Sequence, residues 1–366
     1  MSVARMIDRK EIVICAGAGG VGKTTTAAAI ALGMAARGLK VGVLTIDPAR
    51  RLANSLGLPE LANVEHRVEG IPGHGELWAM HLDPKRTFDE LIEKHASDER
   101  TRDAVLTNRI YQELSNAVAG SQEYMAMEKL YELYQEERYD LLVLDTPPTR
   151  NALDFLDAPE RLSRFVDSRS LQLFMGPGKL GLKVFGRGTG MVFSVLKRVT
   201  GVDLLQDLSE FFASFGDMAE GFRERAVRTS ELLADRRTTF LLVTSPRSAA
   251  IDEAIFFHRR LRERELPFGG AVVNRMSPLA VETEPVDEAE LEELLGRELG
   301  SHVSDNLHDY EAMATRDREN VARLASQLGG ALPILVPHLD DDVHDIGGLT
   351  EMNEYLFAAQ AVPATG

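Results

Sequence analysis

Short apolar, β-branched runs bounded by turn residues recur along the chain, at Ile12–Cys15, Val41–Ile46, Leu77–Leu82, Leu141–Leu144, Phe240–Val243, Ala271–Val273 and Ile334–Val336. Between most of them apolar positions recur every three or four residues, which predicts helices over Thr24–Ala36, Arg102–Ala117, Gln122–Glu137, Ser248–Arg264 and Asn306–Leu328. Strands alternating with helices predict a doubly wound α/β fold whose mostly parallel sheet is covered on both faces. The alternation stops between Pro159 and Leu233, a stretch with no strand-like run that holds eight of the fifteen phenylalanines. It reads as a helical subdomain inserted into the core, dividing the chain into core residues 1–158, a helical insertion at 159–235 and a second core part at 236–366. A further break, Pro278–Gly300, is acidic and reads as a surface excursion.

Composition narrows the function classes. Hydrophobic content of 44% and charge of 27% suit a soluble globular chain with a sizeable core. A formal net charge of −16 argues against nucleic acid and anionic membranes as general partners, because both reward a basic surface. The single cysteine, Cys15, excludes an intrachain disulfide and a multi-cysteine zinc site. The first apolar run, EIVIC, is too short for a signal segment, and no later run reaches spanning length. The expected place of work is the cytoplasm, with no stable membrane insertion.

The chemistry concentrates after the first strand. Gly17-Ala18-Gly19-Gly20-Val21-Gly22-Lys23-Thr24 fits the P-loop pattern, while Gly17, Gly19 and Gly22 also fit the dinucleotide fingerprint. Both loops turn backbone N–H groups and a helix N-terminus toward phosphate. Lys23, as a cation for the β- and γ-phosphates, and Thr24, as a hydroxyl ligand for Mg²⁺, decide for a nucleoside triphosphate. Asp47, at the end of the second strand, could serve a dinucleotide ribose. However, Asp47 is followed by Pro48 in TIDPARR, and Asp145 ends another apolar strand in LLVLDTPPT. Two strand-end carboxylates beside a Lys/Thr phosphate loop suit Mg²⁺-assisted phosphoryl transfer better than hydride transfer.

GAGGVGKTT, TIDPAR, DTPPTRNALDFLDAP, the strand-ending VVN and VPHLDDDVHDIGGL together resemble the successive motifs of the ArsA/guided-entry ATPases. These form part of the deviant Walker A class that includes MinD and nitrogenase iron protein. Within that class the sequence resembles the actinobacterial guided-entry-like ATPases of the anion-transporter type. The resemblance implies ATP and Mg²⁺ as bound groups, held by Gly17, Gly19, Gly20, Val21, Gly22, Lys23 and Thr24, with Thr25 on the α-phosphate. It implies that Asp47 positions the attacking water, and that Asp145 opens a switch in which Pro147 and Thr149 move as the γ-phosphate leaves. It places Asn274 on the adenine and Pro337 to Val343, including Leu339, in the adenine-side loop. Thr24, Asp47 and Asp145 are the implied metal-side residues.

Two departures from the family pattern matter. The family's loop reads G-K-G-G-x-G-K, and its first lysine reaches into the neighbouring subunit's nucleotide as an arginine finger does. Here that position is Ala18, so a homodimer of this chain lacks both trans lysines. Either a paralogue carrying the lysine completes a heterodimer, another cation such as Arg50 or Arg51 substitutes, or turnover is slow. The family's bridging Cys-x-x-Cys is also absent after Asn274, and Cys15 alone supplies no arsenite site.

The implied client groove falls on Leu171–Phe222, where LQLF, KVF, MVFSVL and LSEFFASF offer apolar surface and glycines at 176, 178, 181, 186, 188 and 190 weaken helix continuity. Packing against the core or a partner subunit would use the same surface. Five Lys/Arg and no Asp or Glu stand between Leu171 and Thr200, and His302, His308, His338 and His344 are scattered among acids. The resulting expectation is a nucleotide-switched dimeric Mg²⁺-ATPase handling a hydrophobic client. Its rivals are an ATP-binding regulatory subunit and a P-loop ligase or kinase acting on a small acid. The tail, GGLTEMNEYLFAAQAVPATG, offers no basic amphipathic helix for MinD-like membrane cycling.

Overall fold

The computed structural model describes residues 2–47, 50–109, 111–112, 121–147, 157, 204–278, 293–329 and 331–358, without the side chains of 121–122, 204–210, 212–217 and 219. Among the described residues eight strands form one sheet: β1 (Ile12–Ala16), β2 (Lys40–Thr45), β3 (His66–Val68), β4 (Glu76–His81), β5 (Leu141–Asp145), β6 (Thr238–Thr244), β7 (Phe268–Met276) and β8 (Ile334–Pro337). Their order is β3-β4-β2-β5-β1-β6-β7-β8, and every pairing except β3–β4 is parallel. β1, β5 and β6 are buried along their whole length, which is why they read as continuous apolar runs rather than alternating ones.

The chain leaves β1 for β2 on one side and later returns to β6 on the other. The C-terminal end of β1 is thus a topological switch point, where open α/β sheets bind ligands.

The helices are α1 (Val3–Met6), α2 (Lys23–Ala36), α3 (Arg51–Ser55), α4 (Pro84–His95), α5 (Glu99–Leu106), α6 (Ser121–Gln135), α7 (Leu204–Ala234), α8 (Ser248–Glu263), α9 (Arg297–Gln327) and α10 (Ile346–Phe357). The sequence KTTTAAAIALGMAA makes α2 a strong helix with small side chains, and it is buried on nearly all sides. α10 closes over it at Gly33, where a Cβ would sit 2.3 Å from the Phe357 ring, and the Arg37 guanidinium lies 3.8 Å above that ring.

Two expectations change. A single helix over Arg102–Ala117 does not form, because α5 ends at Leu106. Asn108 then accepts a hydrogen bond from the Tyr111 N–H at 3.4 Å, the signature of a fresh N-cap, and residues 113–120 lie outside the described part. The edge strand β3 was missed: it has three residues, and His66 and Arg67 are exposed.

The chain forms two compact units. The first comprises the described residues of Met1–His81, Leu133–Leu153 and Leu233–Gly366 and carries the sheet. The second comprises those of Leu82–Glu132 and Asp154–Leu232. Within it, Phe88 meets Tyr111 and Phe222 with ring centroids 5.4 and 5.9 Å apart. The buried Glu128 takes Arg225 Nε at 2.6 Å and the Tyr124 hydroxyl at 2.5 Å. A carboxylate buried this deeply requires such pairing, so removing Arg225 would leave a costly uncompensated charge.

Candidate functional site

The phosphate loop begins where β1 ends. At Gly17 an added Cβ would lie 1.8 Å from the Val243 carbonyl oxygen, a backbone atom of β6 that cannot swing away. Gly17→Ala is therefore expected to cost more than about 3 kcal/mol of stability, read from urea unfolding. A loss under about 1 kcal/mol would mean that the loop has room to retreat.

Gly22 takes φ +91 as the N-cap of α2, and a Cβ there would meet Asn274 Nδ2 at 2.2 Å. Because the cap offers no side-chain acceptor, the first N–H groups of α2 are left for a ligand.

Lys23 opens α2 and is buried, its Nζ donating to the Ala18 carbonyl oxygen at 2.9 Å. Burial pulls its pKa down, while the charges of Asp145 and Asp47 oppose that. Thr24 donates its hydroxyl to Asp145 Oδ2 at 2.6 Å, and Thr45 donates to the same oxygen at 2.8 Å. The sheet sets this meeting: Thr45, Asp145 and Cys15 are register partners across β2, β5 and β1.

The other oxygen of Asp145, Oδ1, is buried and has no hydrogen-bond partner among the described residues. Burial pushes the Asp145 pKa up to about 6, against the two threonine hydrogen bonds and the Lys23 charge, with Asp47 pushing further up. Cys15, beside it, is also buried, and its thiol is held neutral chiefly by desolvation.

Asp47 lies just past β2, with its N–H on Thr45 Oγ1 at 3.2 Å and its Oδ2 accepting from Arg51 Nη1 at 2.8 Å. Pro48, the next residue, and Thr149, in the other implied switch, lie outside the described residues, whereas Pro147 is described.

Beside the loop is a cavity of about 240 Å³, lined in part by Thr25, Arg51, Asn274, Arg275, Pro337 and Leu339. Asn274 is fixed by donating Nδ2 to the Val21 carbonyl oxygen at 3.0 Å. The β7–β8 ladder pairs Met276 with Pro337, which brings the segment after β8 to the same wall.

The structure thus gathers Lys23, Thr24 and Asp145 into one cluster with Asp47 at its edge. Thr25, Asn274, Pro337 and Leu339 line the neighbouring cavity. Sequence reasoning missed Thr45 and Arg275. Thr45 is detectable only once β2 is registered against β5. Arg275 adopts φ +61 and donates Nη1 to the Gly20 carbonyl oxygen at 3.2 Å, a geometry that no sequence pattern announces. Among the described residues no three His, Cys, Asp or Glu side chains gather as a metal cluster, and no helix is long and apolar enough to cross a membrane.

Residues 10–292 match the family model described as anion-transporting ATPase. Asn274 falls inside that match, and Pro337 and Leu339 fall outside it. The chain is 27% identical over 247 residues to ATPase GET3 of Malassezia globosa, covering 66% of each. It is 26% identical over 288 residues to ATPase GET3C of Arabidopsis thaliana, covering 74% of this chain and 68% of that protein. To ATPase get3 of Schizosaccharomyces japonicus it is 30% identical over 152 residues, 42% of this chain and 45% of that one. The chain therefore spans between under half and about two thirds of the length of these relatives.

Proposed function

This chain belongs to the anion-transporting ATPase family, and on that premise we propose that it hydrolyses ATP in a Mg²⁺-dependent manner as a nucleotide-switched dimer in the cytoplasm. The observation that carries the reading is the Thr24–Asp145–Thr45 cluster beneath the uncapped start of α2.

The donor set suits magnesium. A threonine hydroxyl stands 2.6 Å from a buried carboxylate whose second oxygen is orphaned, and a hard cation with its water shell would answer both. When bound, the ion would neutralise charge on the β- and γ-phosphate oxygens. Thr24 would be its protein ligand, with Asp145 holding it through water.

The chain's own residues supply the rest. Backbone N–H groups from Gly17 to Gly22 and the start of α2 cradle the phosphates, and Lys23 exchanges the Ala18 carbonyl for a phosphate oxygen. Thr25 takes the α-phosphate, and Asn274, Pro337 and Leu339 take the base side of the cavity. Asp47 accepts a hydrogen bond from the attacking water and orients it for in-line attack.

A hydrophobic client for the helical unit is the second part of the proposal. Its support is the apolar density of 171–222 in the sequence, most of which lies outside the described residues.

Ala18 bears on the dimer. Its methyl group is buried and carries no charge, so a homodimer must find its positive charge elsewhere. Phosphate release by the purified chain, wild type against Ala18→Lys, tests this. Mg²⁺-dependent turnover by the wild type and a gain below about threefold are expected. A gain near 1,000-fold, about the low end for a supplied finger, would point instead to a heterodimer with a lysine-bearing paralogue, in which this chain is the weakly active member. Absence of Mg²⁺-dependent ATP binding would remove the ATPase reading altogether.

A further inference from the structure

TIDPARR offers two arginines beside Asp47, and the fold sends them to different places. Arg50 adopts φ +54 and turns its guanidinium to Glu60 at 3.0 Å, along a separate cavity that also holds His81. Arg51, the first residue of α3, donates Nη1 to Asp47 Oδ2 at 2.8 Å and lines the cavity shared by Gly22, Thr25 and Asn274. Its charge is close enough to Lys23 to make that ammonium easier to deprotonate. Arg275 shares the cavity, but it is held at the Gly20 carbonyl from the β7 side, next to Asn274.

We infer that Arg51 is the cation that this chain brings to the transferring phosphoryl group in cis, in the role left empty by Ala18, and that it leaves Asp47 when ATP binds. The inference rests on the ATP-hydrolysing reading above. The exchange is easy in both directions. The Arg51 side chain is 60% exposed and the Asp47 side chain 18%, so the guanidinium end of the pair stands in solvent and the pair contributes modestly. A γ-phosphate carries more charge than one carboxylate and matches the planar guanidinium fork.

The same movement takes the guanidinium off Asp47 Oδ2, the oxygen at which the water would donate. One event therefore supplies the cation and unmasks the water-orienting carboxylate. ADP has no γ-phosphate to draw the guanidinium away, so the Arg51–Asp47 pair stays closed and both groups are withheld. Arg50 lines the separate cavity with Glu60 and His81, not the one shared by Gly22, Thr25 and Asn274, and takes no part.

The test is equilibrium binding of the full chain with Mg²⁺, using fluorescent ADP displaced by ADP and by ADP with aluminium fluoride, a mimic of the phosphoryl group in transfer. The wild type is expected to prefer the aluminium fluoride complex by about 1,000-fold, the low end of what an arginine finger contributes. Arg51→Gln should lose nearly all of that preference while its ADP affinity and melting temperature stay close to wild type. Arg50→Gln should keep the preference. Arg51→Met, an apolar chain of similar length, gives the same reading should the glutamine variant not fold. The inference is overturned if either Arg51 variant keeps the preference to within about threefold of wild type. A wild type that binds Mg²⁺·ATP and hydrolyses it while the variants keep their preference sinks this inference alone. A wild type that binds no Mg²⁺·ATP sinks the ATPase reading and the inference together.

Discussion

Asp47→Asn is expected to lower ATP turnover about 10³-fold while ATP affinity changes by less than about threefold. Asparagine keeps the size of the side chain and one oxygen, but it carries no charge and takes no proton. If Asp47 acts on water only as the phosphoryl group moves, the loss falls on kcat and leaves ground-state binding alone. Arg51, which donates to Asp47 Oδ2 at 2.8 Å, keeps the amide oxygen as an acceptor, so the loss of charge changes ATP affinity only slightly. Steady-state phosphate release and fluorescent nucleotide titration separate the two quantities. Turnover within about tenfold of wild type would remove Asp47 from the reaction.

Much of this site was legible because it lies at strand ends. Lys23 and Thr24 stand one glycine-rich loop after a strand, and Asp47 and Asp145 each close an apolar run, so motif and periodicity agree on their position. Thr45 was not legible. A threonine ending KVGVLT is ordinary strand chemistry until the register sets it opposite Asp145. β3 failed for a related reason: three residues cannot display a period, and only the antiparallel pairing with β4 reveals the strand. The break at Asn108 was hidden because apolar spacing continues across it, while the hydrogen bond from Tyr111 that restarts the chain is local. The grouping of Leu82–Glu132 with Asp154–Leu232 depends on contacts between segments distant in sequence, which composition does not record. The two arginines of TIDPARR are equivalent in the sequence. The left-handed φ of Arg50 separates them.

Asp145→Asn is expected to lower Mg²⁺-dependent turnover by about 10³-fold, because several kcal/mol of metal-assisted stabilisation depend on a charged group at this position. The same change should leave the nucleotide-free fold at least as stable near pH 7.5, and the sign follows from the ionisation. Burial raises the carboxyl from its ordinary 3.8 to about 6, so between those values the folded chain holds a proton that the unfolded chain has released. Stability therefore falls as pH rises through that window, and at neutral pH the buried charge costs about 3 kcal/mol. Asparagine removes that cost. In exchange, its amide N–H₂ takes the place of the partnerless Oδ1, and an unsatisfied buried donor costs about 1 to 3 kcal/mol. The two nearly offset, leaving a gain of up to about 2 kcal/mol at pH 7.5. Below pH 6 the wild type takes up its proton and sheds its penalty, so the variant's advantage should shrink by about 1 to 1.5 kcal/mol between pH 7.5 and pH 5. Urea unfolding of both chains across that range, without nucleotide or metal, measures the difference directly. A variant that unfolds well below wild type at pH 7.5 would mean that the carboxylate is a structural anchor for Thr24 and Thr45. A stable variant that has lost its response to Mg²⁺ would mean that the fold tolerates a buried charge at its centre for the sake of the metal.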